Sequence, residues 1–184
     1  VFFPNLFHAA WEITRCARPH LERLAQQTQY TALLSCVEGS DIVVIDQRVS
    51  GTGIQVASEI GGRTPLHATS QGKLLLSQLP DATVRYLMNG QGMDPFTPHT
   101  IVDLATLTEE LERIRQWGYA IENGEYKIGL RSVSAPVFDR EGQMRYTLTV
   151  VGLFRHVASG EFEEAVDMVC AAAGSLSREL GYHA

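Results

Sequence analysis

Apolar residues recur at helical spacing at both ends of this chain and at strand spacing in the hairpins between. Phe3, Leu6, Phe7, Ala10, Trp11, Ile13 and Ala17 share one helical face, with Asn5, His8, Glu12 and Arg15 interleaved. Pro19 predicts a break, after which Leu21, Leu24 and Ala25 continue a second helical run to Thr28. Residues 32–38 and 41–48 are apolar, β-branched runs joined by Gly39-Ser40, a hairpin signal. Ser50-Gly51-Thr52-Gly53 reads as a loop and residues 54–58 as a further edge strand. Beyond Gly61-Gly62 and the Thr64-Pro65 break, the spacing predicts a helix over 67–79 and a short one over 82–88. A loop rich in Gly and Pro then runs to Thr100.

Thr106-Leu107-Thr108-Glu109 has the form of a capping box, and Leu107, Leu111, Ile114 and Trp117 repeat on one face until Gly118. Residues 119–123, 131–139 and 145–153 read as strands, the last two joined across Arg140-Glu141-Gly142-Gln143. Phe162, Ala165, Val166, Val169, Ala173, Leu176 and Leu180 make a closing helix that stops at Gly181. Hairpins rather than strand–helix–strand crossovers, framed by helices, describe an α+β fold with an antiparallel sheet.

With 184 residues, the chain has the length of one ordinary domain. A formal net charge of −6 and a pI near 5.5 oppose tight contact with nucleic-acid phosphates. No apolar run approaches the roughly 20 residues that cross a bilayer, and Val1-Phe2-Phe3 does not open a signal peptide, so a cytoplasmic location without membrane partners is expected. Cys16, Cys36 and Cys170 are odd in number and widely separated, which argues against a disulfide framework or a zinc clasp.

Candidate catalytic chemistry is thin. No G-x-S-x-G elbow occurs and the histidines are scattered, so no triad is predicted and no enzyme is expected. Gly51-Thr52-Gly53 lacks the pattern of a phosphate loop, and His67 and His99 read as structural; neither metal nor cofactor is expected. Hydroxyl groups at regular strand positions are the stronger signal. Thr147, Thr149 and Val151 share a face by period two, as do Ser132 and Ser134. Set against a helix start at Thr69-Ser70-Gln71, those faces would form a polar cup for a small carboxylate. Read more simply, the same residues are hydroxyls tolerated in strands and a helix cap.

The same positions carry a family likeness. Pro65-Leu66-His67-Ala68-Thr69 with Gly72-Lys73, Thr97-Pro98-His99-Thr100-Ile101, the run from Leu111 to Ala120, and Ala135-Pro136-Val137-Phe138-Asp139 resemble, in order, the sensing half of IclR-family bacterial regulators. Ala17-Arg18-Pro19-His20-Leu21-Glu22-Arg23-Leu24 resembles that half's entry after a linker helix. The resemblance implies a GAF-like domain over 18–184, a central antiparallel sheet flanked by helices, preceded by a linker helix over 1–17. It also implies a winged helix-turn-helix upstream, through which alone DNA would be bound. By the same resemblance the ligand pocket falls on Gly53, Ser70, Gln71, Glu122, Leu130, Ser132, Thr149 and Val151. Three positions depart from the family pattern. Ser132 stands where many members have Cys, Val151 replaces a common Ser, and Asn123-Gly124-Glu125 replaces a more acidic run.

The function implied is effector binding in a transcriptional regulator of small-molecule catabolism, a repressor rather than an activator, assembled as a homodimer or homotetramer and answering to a small organic or aromatic acid. The alternatives are a GAF-type signalling module, a small GAF-fold enzyme such as a sulfoxide reductase, and a dimerisation module without a ligand. A sulfoxide reductase would need clustered cysteines, which the spacing does not offer.

Overall fold

The computed structural model describes residues 4–50 and 55–183, with side chains described from Trp11 onward. Five strands form one antiparallel sheet in the order β2-β1-β5-β4-β3, from β1 (Thr31–Glu38), β2 (Asp41–Arg48), β3 (Ala120–Asn123), β4 (Arg131–Phe138) and β5 (Met144–Gly152). The α+β expectation holds. Helices α1 (Pro4–Thr28) and α5 (Gly160–Glu179) cover one face; α2 (Ser70–Ser77), α3 (Asp81–Gln91) and α4 (Leu104–Trp117) lie on the other.

Strand alternation assigns each side chain to a face. Leu34, Val133, Ala135, Leu148 and Val150 point into the core beneath α1 and α5, where Ile13, Leu21, Phe162 and Leu176 meet them. Their sequence neighbours Leu33, Ser35, Ser132, Ser134 and Thr149 therefore turn towards α2. A second core joins Leu74, Leu75 and Leu76 of α2 to Leu107, Leu111 and Ile114 of α4, so α2 is clamped between sheet and outer helix.

The first helix is not broken at Pro19: α1 runs continuously to Thr28 with the proline inside it. An interior proline costs about 3 kcal/mol. Ala17, Leu21, Leu24 and Ala25 are buried on either side of it, and that docking outweighs the local penalty. The edge strand expected over 54–58 does not form at residues 55–58, and Ile54 lies outside the described residues. Side chains meet part of this backbone instead: Gln47 Nε2 donates to Ser58 O at 2.9 Å, Ser58 N donates to Gln47 Oε1 at 3.0 Å, and Thr31 Oγ1 donates to Val56 O. The ladder contact comes later, as a bridge between Val43 and Arg63.

Helix α2 begins at Ser70 because the Thr69 hydroxyl takes the Gly72 amide as an N-cap, which leaves residues 66–69 as turn. Helix α4 begins at Leu104, ahead of the expected capping box, since Asp103 caps it by accepting from Thr106 N at 2.8 Å. Its end at Gly118, with φ +77, is where the sequence places it.

Candidate functional site

Among the described residues, two of the larger hollows could take a small molecule. A groove of about 460 Å³ runs beside α5 past Pro136, Phe138, Cys170 and Tyr182. The other, about 350 Å³, lies between the sheet and the start of α2, and here polar groups converge from several elements. Convergent polar groups on an apolar wall are the mark of a ligand site, so the smaller cavity is the candidate.

Ser70, Gln71, Glu122, Leu130, Ser132, Thr149 and Val151 all line it. The eighth expected residue, Gly53, lies outside the described residues, as do Phe3 and the Phe7 side chain of the first helix. Spacing put the hydroxyls on the right faces. It gave no sign of the rim formed by Glu59, Arg63, Tyr126 and Lys127, which comes from loops with no periodicity to read.

The hydroxyls form a continuous chain. Thr149 Oγ1 lies 2.6 Å from Ser134 Oγ, which is 2.7 Å from Ser70 Oγ; that in turn is 2.7 Å from Ser132 Oγ. Ser132 then donates to Glu122 Oε2 at 3.2 Å. The sheet register sets this up, because Ser134 pairs with Thr149 across β4 and β5 while Ser132 pairs with Glu122 across β4 and β3. Gln71 is fixed separately, accepting from Ser35 Oγ at 2.7 Å and donating to Thr64 Oγ1 at 3.0 Å.

Glu122 is only 2 % exposed. Its Oε1 accepts from the backbone amides of Glu125 at 2.9 Å and Tyr126 at 3.2 Å, closing a tight turn. Burial pushes its carboxyl up to about 7, outweighing the amide and hydroxyl donors that favour the charge; the neighbouring Glu125 adds to the rise. The turn is fastened from outside by two threonines: Thr97 Oγ1 donates to Gly124 O and Thr100 Oγ1 to Glu125 O, each at 2.6 Å. The Thr97-to-Thr100 run thus supports the cavity from behind without lining it.

Behind the cavity sits a buried ion cluster that spacing did not reveal. Lys73 Nζ donates to Glu125 Oε1 at 2.8 Å and to Glu110 Oε1 at 3.0 Å. A lysine one position past a helix's Gly72 normally reads as exposed; only the fold shows it threaded inward. Gly72 is required by the same close packing. A β-carbon there would stand 2.5 Å from Leu66 Cα and 2.6 Å from Leu66 O, inside contact distance.

The remaining candidates do not line the cavity. The His67 ring contacts Asp94 O at 3.0 Å, and among the described residues no group of three or more His, Cys, Asp or Glu is arranged to hold a metal. Cys16, Cys36 and Cys170 are free, and none lines the cavity. Burial pushes the Cys36 and Cys170 thiols up, away from the reactive thiolate.

Residues 8–178 match the family described as the bacterial transcriptional regulator IclR C-terminal domain. The chain is 27 % identical over 173 residues to the HTH-type transcriptional repressor AllR of Escherichia coli strain K12, covering 94 % of this chain but 64 % of AllR. It is 32 % identical over 174 residues to the HTH-type transcriptional regulator XynR of the same strain, covering 94 % of this chain and 69 % of XynR. The Thermotoga maritima IclR crystal structure superposes with a TM-score of 0.85 at 32 % identity, over 92 % of this chain and 69 % of that one. The fold is thus the GAF-like one of these C-terminal domains.

Proposed function

The chain belongs to the IclR family of bacterial transcriptional regulators through their C-terminal domain, and from that premise we propose that it is the effector-sensing part of such a regulator. The observation that carries this reading is the cavity at the start of α2. Seven of the eight expected pocket residues line one hollow, with an apolar wall of Leu33, Val44, Leu130 and Val151 facing hydroxyls and a buried carboxyl. A small organic or aromatic acid suits both surfaces. The chain spans 64 % of AllR. DNA contact is assigned to a winged helix in the remaining third of such a protein, reached through the first turns of α1, with residues 18–184 as the sensing domain proper. Trp11, 69 % exposed on α1, offers an apolar face for a homodimer or homotetramer.

The relatives named above are regulators. A reductase on the same fold would place thiols in the cavity, and none of the three cysteines lines it; repression in the cytoplasm is the role proposed instead. No described helix is long and apolar enough to cross a membrane. The test is a thermal-shift screen over organic and aromatic acids, since a ligand that binds only the native state raises its melting temperature by mass action. A hit that vanishes in Ser70→Trp, which fills the cavity, supports the reading; a hit that survives it places binding elsewhere.

A further inference from the structure

The hydroxyl chain has a direction, and proton counting fixes it. Each of Thr149, Ser134, Ser70 and Ser132 carries one hydroxyl proton, and each contact of 2.6 to 3.2 Å along Thr149–Ser134–Ser70–Ser132–Glu122 must hold one. An ionised Glu122 can only accept, so Ser132 donates to it. Ser70 must then donate to Ser132, Ser134 to Ser70, and Thr149 to Ser134. Every hydroxyl proton is committed, and the oxygens lining the cavity offer only lone pairs. A proton on Glu122 changes the count. Five protons then serve the same contacts, which frees one for a cavity-lining oxygen at Ser132, Ser70 or Thr149 to present to a ligand.

We propose that Glu122 determines which ligands the cavity accepts by setting the direction of this chain: a carboxylate enters together with one proton, whereas a ligand bearing hydroxyl or amino donors binds with Glu122 ionised. The proposal rests on the ligand-sensing reading and adds the chemistry of selection to it. Burial already holds the carboxyl near neutrality, so either state is accessible under ordinary conditions. The buried cation behind the cavity does not substitute for that proton. Lys73 of α2 is committed to Glu125 and to Glu110 of α4. The other ionisable groups are Tyr126 and Lys127 on the turn, Glu59 and Arg63 across the cavity, and His99, whose ring lies against Gly124. The first-turn amides of Ser70 and Gln71, which have no carbonyl within their own helix to reach, are donors whatever the state of Glu122. They draw an anion to the site without removing its repulsion by an ionised carboxylate.

Calorimetric titration tests this with two probes of similar size, benzoate and benzyl alcohol, from pH 6 to 9 in buffers of different ionisation heat. For the wild-type chain, benzoate uptake should approach one proton per molecule at the alkaline end, with affinity falling about tenfold per pH unit there. Glu122→Gln keeps an amide donor towards Ser132 and should bind benzoate with no proton uptake and a flat pH profile. Benzyl alcohol should bind the wild type at pH 9 no more weakly than at pH 6. Benzoate binding without proton uptake, or the same uptake in Glu122→Gln, overturns the proposal and leaves the ligand-sensing reading standing. So does binding of benzyl alcohol alone at every pH. Binding of neither probe at any pH overturns both.

Discussion

Lys73 Nζ, fully buried, lies 2.8 Å from Glu125 Oε1 on the far side of the cavity wall, and this pair ties α2 to the turn that carries Glu122. Desolvation of the two charges opposes the pair, and burial does push the Glu125 carboxyl upward against the pull of Lys73. What the pair secures is position: α2 supplies Ser70 and Gln71 to one side of the cavity, and the turn supplies Glu122 to another.

Removing the cation alone should therefore be severe. Lys73→Met leaves Glu125 and Glu110 facing each other in a buried site, and breaking a pair of this kind costs about 3–5 kcal/mol. Urea unfolding should show that loss. Lys73→Met combined with Glu125→Gln should recover part of it, and a single variant within 1 kcal/mol of wild type (roughly the scale of an exposed pair) would mean the cluster is solvated.

Glu122 gives stability a pH dependence of definite sign. Its folded carboxyl titrates at about 7 against an ordinary value of 4.5, so between those values the folded state holds the proton more tightly than the unfolded chain does. The wild type should therefore lose stability as pH rises through that window, by an amount on the order of 1–3 kcal/mol, and lose no more from this group above it. Glu122→Gln should remove most of that slope in denaturant melts at pH 5, 6, 7 and 8. An unchanged slope would assign it to Glu125, whose carboxyl is also raised.

Ser132→Ala and Thr149→Ala each delete a hydroxyl that lines the cavity. Each should weaken a bound effector several-fold, the loss of a hydrogen bond worth roughly 0.5–1.5 kcal/mol, while the chain still folds. Ser134→Ala cuts the chain behind the wall and, like Ser132→Ala, should cost about 1–3 kcal/mol of stability, because buried partners are lost by Ser70 and Thr149 in the first and by Ser70 and Glu122 in the second. Equilibrium unfolding beside ligand titration separates the two effects.

Gly72→Ala should destabilise by about 1–3 kcal/mol, since the added carbon meets Leu66 backbone rather than a side chain that can swing aside. Thermal melts check it. A neutral result would mean that α2 can slide away from the 66–69 turn.

DNA affords a further check. The acidic chain alone should give no mobility shift with duplex DNA at moderate salt. Submicromolar binding by these 184 residues would overturn the division of labour proposed for the regulator.

The legible parts of the sequence were those where one signal acts alone. Gly39-Ser40 fixed a hairpin, Gly118 ended α4, and period-two spacing aligned Ser132 with Ser134 and Thr149 with Val151. Misreadings arose where tertiary contacts overrode local rules. Pro19 is carried through α1 by the core on either side, and Ser58 and Val56 find backbone partners in the Gln47 and Thr31 side chains rather than in a ladder. Spacing alone left the cup of hydroxyls indistinguishable from ordinary strand residues, and it was the ordered run of motifs that singled them out. The Lys73 cluster was invisible because its members come from three elements far apart in sequence, and no periodicity predicts which lysine turns inward.

The two threonine hydroxyls that grip the carbonyls of Gly124 and Glu125 settle a matter of entropy. A turn fastened at both carbonyls from outside, with its amides fastened to Glu122 from within, has surrendered its conformational freedom during folding. A guest in this cavity would find that wall already set, and little of its binding energy would go into ordering the protein. Affinity here would be governed by the fit and charge of the guest, and its on-rate would be limited by entry past the rim at Arg63 and Lys127 rather than by the wall behind Glu122 taking shape.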